Sequence, residues 1–69
     1  MLTLKTVMQN AKKTALRDGY NQVIILEHDG SYGFSRDYDG CCPDWLGKII
    51  GKYITFWENG ILNVKYIEV

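Results

Sequence analysis

The chain is poor in the residues on which protein chemistry most often rests. Its 69 residues include one histidine, two cysteines and one proline, and eight Lys and Arg are balanced by eight Asp and Glu. Zero net charge leaves no global field to draw the chain onto a phosphate backbone or an anionic membrane. No stretch approaches the roughly 18 apolar residues of a membrane span, and the N-terminal "MLTLKTVMQNAKK" has no apolar core after a basic start. The expectation is a cytoplasmic protein without a membrane partner.

Cys41 and Cys42 are neighbours. Consecutive α-carbons lie about 3.8 Å apart, too close for an ordinary disulfide, and such a pair closes no useful loop. A reducing compartment follows. Together with His28 the cysteines supply three metal ligands, so a zinc site needs a carboxylate such as Asp39 or Asp44 to complete it. C-x-x-C spacing is missing. Apolar packing is the simpler reading, because free cysteine is among the most buried residue types; a Cys/His metal-binding protein is the second alternative. No cofactor is expected.

Other chemistries lack their constellations. His28 flanks a hairpin turn, and its strand neighbours Glu27 and Asp29 point away from it, which argues against acid–base work. "DYDG" at 37–40 is not followed by the oxygen ligands of a calcium loop, and "GKIIGK" at 47–52 lacks the order of a phosphate-binding loop. No catalytic residue is assigned, and the chain is expected not to be an enzyme.

What the chain does contain is strand and helix pattern. An apolar share of 46% against 23% charged residues describes an ordered chain, and 69 residues make a single α+β domain over 1–69, near the lower limit for one core. Residues 3–18 place Leu4, Val7, Met8, Ala11 and Ala15 on one helical face, with Thr3 as N-cap and Gly19 as the left-handed stop. Leu16 falls off that stripe.

Two hairpins follow. "QVIILEHDGSYGFSRDY" reads as strands joined by a two-residue Asp29–Gly30 turn, which pairs Glu27 with Tyr32, Ile25 with Phe34 and Val23 with Arg36. "KYITFWENGILNVKYIEV" closes on Asn59–Gly60, pairing Trp57 with Leu62, Thr55 with Val64 and Tyr53 with Tyr66. The opposite face of this second hairpin carries Ile54, Phe56, Ile61 and Ile67, interleaved with Lys52, Asn63 and Lys65. Between the hairpins, Pro43 suits the start of a short second helix near 43–50, whereas an extended "KIIG" fits the same apolar spacing. The fold expected is an N-terminal helix with a four-stranded antiparallel sheet, α-β-β-α-β-β when that helix is included.

This architecture has an areal consequence. Four strands make a sheet about 19 Å wide, whereas one helix covers about 10 Å. The face opposite Val23, Ile25, Trp57 and Val64 is therefore expected to present Ile24, Leu26, Ile54, Phe56 and Ile67 with Lys52 and Lys65 at its rim, open to a second copy or a larger target unless the short helix near 43–50 crosses over and covers it. Contiguous apolar area of this kind marks contact sites. The function expected is a small non-enzymatic protein-binding module, a regulator or inhibitor, whose partner is a second copy (a homodimer) or a larger target. By analogy of size it compares with the accessory proteins of phages and mobile elements. The alternative is single-stranded nucleic-acid binding, with bases stacked on Tyr32 and Phe34 beside Arg36, or on Phe56 between Lys52 and Lys65.

Overall fold

Thr3 is extended at φ −75°, ψ 160°, and its Oγ1 accepts the Thr6 N–H at 3.2 Å, so the first turn of α1 (Leu4–Asp18) is capped as its sequence requires. At the other end Gly19 adopts φ 76°, and its N–H donates to the Ala15 carbonyl at 2.9 Å. These features come from a computed structural model that describes residues 3–37 and 47–69. Val7, Ala11 and Ala15 are fully enclosed, with Leu4 and Met8 packed beside them; Leu16 is exposed. The expected stripe is the face that meets the sheet.

Four strands follow: β1 (Gln22–Glu27), β2 (Tyr32–Arg36), β3 (Gly47–Glu58) and β4 (Ile61–Glu68). They form one antiparallel sheet in the order β2-β1-β3-β4, so the fold is α+β with α1 packed on the sheet. Since β2 and β3 both run antiparallel to β1, they are parallel to each other on either side of it. The connection between them is a crossover. Residues 47–50 are strand, so the extended alternative holds for "KIIG"; positions 43–46 of the short second helix lie outside the described residues.

The second hairpin has the expected register. Asn59 and Gly60 take φ 52° and 76°, the two left-handed residues of a type I′ turn, and Tyr53–Tyr66, Thr55–Val64 and Trp57–Leu62 are partners. The first hairpin does not. Its loop has three residues, His28–Asp29–Gly30, closed by Glu27 N–H to Ser31 C=O at 2.8 Å and Gly30 N–H to Glu27 C=O at 3.0 Å. Gly30 is left-handed at φ 89°, the third position of such a loop. The pairs are therefore Leu26–Tyr32, Ile24–Phe34 and Gln22–Arg36, one residue out of the expected register.

A slip of one residue exchanges faces. Ile24, expected on the open side, is fully buried beneath Val7, Ala11 and Ala15, with Tyr53 completing the cluster and Phe34, Ile50, Val64 and Tyr66 around it. Gly51, the β3 partner of Ile24, lies under the Tyr66 ring, where a Cβ would collide with the phenol. That close approach lets Tyr66 lie over the sheet and meet Tyr53 with ring centroids 5.1 Å apart. Opposite Ile24 and Ile25 the β3 register skips Ile50, an extra residue that packs against the core.

Candidate functional site: the open face of the β3–β4 hairpin

Strand β3 outruns β1. The ladder between them ends at Gln22–Tyr53, and one residue earlier on the β1 side the Asn21 side chain takes over. Its Oδ1 accepts the Thr55 N–H at 2.8 Å and the Thr55 hydroxyl at 3.0 Å. Beyond Thr55 the hairpin continues through Phe56–Asn63, Trp57–Leu62 and Glu58–Ile61 with no strand on the β1 side among the described residues. The result is a two-stranded arm, consistent with the elongated 41 × 24 × 19 Å extents.

The arm is apolar on both sides. Trp57, on the helix side, is 71% exposed because it lies past the helix; on the other side Ile61 is 65% and Phe56 40% exposed, with Ile67 also exposed toward the root. Along that second side, β3 presents Lys52, Ile54, Phe56 and Glu58, and their β4 partners are Ile67, Lys65, Asn63 and Ile61. Lys65 and Glu58 are exposed, and Lys52 and Ile54 half-buried. The Asn63 amide donates to the Ile61 carbonyl at 3.0 Å, which holds the centre of the strip in place.

Five of the seven residues expected to bind a partner therefore share one face: Lys52, Ile54, Phe56, Lys65 and Ile67. Ile24 and Leu26 do not. They lie on the helix side, Ile24 fully enclosed and Leu26 half-buried, because the three-residue loop and the phase between the hairpins put that side of β1 under α1. Val23 and Ile25, expected in the core, take the opposite face and are nevertheless buried, so the open area is confined to β3 and β4. Glu58, Ile61 and Trp57 belong to the arm but were not among the expected contact residues; their period-two alternation beside the Asn59–Gly60 turn is the signal that marks them.

The remaining candidates are dispersed. His28 is exposed in its turn, and Cys41 and Cys42 lie outside the described residues. Among the described residues no group of three or more His, Cys, Asp or Glu is placed to hold a metal, and no helix is long and apolar enough to cross a membrane. Tyr32 and Phe34 pack against the core and Arg36 lies over the Tyr20 ring, 3.3 Å from its centroid, so their exposed stacking area is small. A half-open groove of about 310 Å³ runs between α1 and β2, lined by Asn10, Lys13, Thr14, Arg17 and Phe34. Its Arg17 is already engaged by Asp18 at 2.9 Å, and the carboxylate of Asp18 is held below its ordinary range by that contact.

No family model, curated protein or solved structure matches the chain.

Proposed function

We propose that the chain is a non-enzymatic protein-binding module that acts as a regulator or inhibitor by docking the β3–β4 arm onto another protein surface. The observation that carries this reading is the arm itself: Phe56, Trp57 and Ile61 exposed on strands that have no third strand beside them among the described residues. Two-stranded hairpins are marginal alone in water, and a partner that buries these side chains supplies the stabilisation their own chain does not. Aromatic area with charges at its edge, here Glu58 and Lys65, is the composition of interface centres. A cytoplasmic setting suits the adjacent cysteines of the sequence.

The test is a capture experiment with the wild-type chain and Phe56→Asp, read by crosslinking and mass spectrometry. Because Phe56 is exposed, the variant keeps its fold, checked by circular dichroism. A protein, whether a second copy or another chain, that crosslinks to β3 or β4 in the wild type and is lost in Phe56→Asp supports the reading. An identical crosslink pattern in both proteins refutes it.

A further inference from the structure

We infer that the open face of the arm is a self-interface, occupied by a second copy packed face to face about a two-fold axis at the Phe56–Asn63 rung. This rests on the reading of that face as a binding surface and names its occupant. The order of charges along the strip fits a second copy. Lys65 stands beside Ile54 toward the root, Glu58 beside Ile61 at the tip, and Phe56 and Asn63 halfway between. A two-fold axis in the plane between two such sheets, perpendicular to the strands and passing at residue 56, sets position 58 of one copy over position 54 of the other. Each Glu58 then faces the Ile54–Lys65 rung of the second copy, twice in the dimer.

Sheets stack about 10 Å apart and neighbouring strands lie about 4.8 Å apart, within the combined reach of a glutamate and a lysine on adjacent strands. The same operation brings Phe56 onto its own image and lays the lysine stem over Ile61, the most exposed apolar side chain of this face. No like charges are opposed. An isologous pairing therefore satisfies the apolar centre and both charged ends at once.

The strip is small. Two strands eight residues long cover about 26 by 10 Å, roughly 260 Å² per copy and well below the roughly 800 Å² per partner of a standard specific interface, so the dimer is weak and transient and forms between micromolar and millimolar concentration. Exposed ion pairs add little affinity, but they fix orientation, and reversing one partner turns both symmetric pairs repulsive.

Sedimentation equilibrium of the full chain over that range tests the inference. Wild type is expected to pass from monomer to dimer with concentration. E58K and K65E, both at exposed positions, are each expected to weaken self-association about tenfold. Mixed in equal amounts they should form a heterodimer tighter than either homodimer, because every facing pair is then of opposite sign. A wild type that stays monomeric at millimolar concentration overturns the self-interface, as does a dimer indifferent to both reversals. A monomer that nevertheless loses a foreign partner on Phe56→Asp would overturn the self-interface alone and leave the binding-module reading intact.

Discussion

At the scale of single residues, Asn21 fixes where the arm leaves the body of the sheet. Gln22 is the last β1 residue paired to β3, and without a substitute acceptor the half-buried Thr55 N–H would have no partner at the point where the ladder stops. The Asn21 side chain serves as that acceptor, while its own backbone carbonyl takes the Asp37 N–H at 2.9 Å, so one residue closes both neighbours of β1. Removing the side chain leaves a donor unsatisfied, which costs about 1–3 kcal/mol, a large share of the stability of so short a chain. Urea unfolding of Asn21→Ala should show that loss at unchanged slope, while Asn21→Asp, which keeps an acceptor oxygen, should retain most of the stability. Equal midpoints for Asn21→Ala and wild type would remove the role. Nothing in local sequence marks this asparagine, since its partner lies 34 positions away.

At the scale of elements, the two turns explain what could be read from the sequence. Asn59–Gly60 fits one loop, because asparagine tolerates the left-handed region, and with it the register and both faces of the second hairpin were legible. Asp29–Gly30 fits two loops. It serves as a two-residue turn or as the end of a three-residue one; the three-residue form found here is braced by Asp29, whose carboxylate accepts the Ser31 N–H at 2.9 Å and lies 2.6 Å from the Ser31 hydroxyl. Register, and therefore which β1 side chains share a face with Phe34, hung on the length of that loop. This is why Lys52, Ile54, Phe56, Lys65 and Ile67 could be grouped from alternation alone, whereas Ile24 and Leu26 could not be added to them: the phase between hairpins depends on long-range pairing. The same contacts give the loop a pH signature. The Ser31 hydroxyl, and then its N–H, hold the Asp29 carboxyl below its ordinary value of 3.8. A depressed folded value means that the loop's contribution is present above the unfolded value and lost as pH falls through the folded one. An NMR titration should place the Asp29 midpoint below 3.8 in wild type and higher in Ser31→Ala; coincident midpoints would count against this account of the loop.

At the scale of the molecule, stability is unevenly distributed, and the unevenness follows the proposed function. Around Ile24 the sheet is covered by α1 and flanked on both sides by strands, so opening there requires global unfolding. By size that is about 3–10 kcal/mol. A twelve-residue strand at about 3.3 Å per residue is roughly 40 Å long, and β3 spends its last rungs, from Phe56 to Glu58, with β4 as its one strand neighbour among the described residues. Their side chains lie in water on one or both sides, so opening these rungs exposes little additional apolar area and needs no movement of the helix. Native-state hydrogen exchange should therefore find the amides of residues 56–58 and 61–63 opening at about 1–2 kcal/mol, well below those of residues 23–25. Dilution separates this intrinsic fragility from the effect of a second copy. If a face-to-face dimer forms, mass action raises protection in the arm as protein concentration increases and leaves the centre of β1 governed by global unfolding of the same folded unit. Arm amides as protected as Ile24 in dilute solution would show that the hairpin is held by its own chain, and the physical reason for a docking role would be gone.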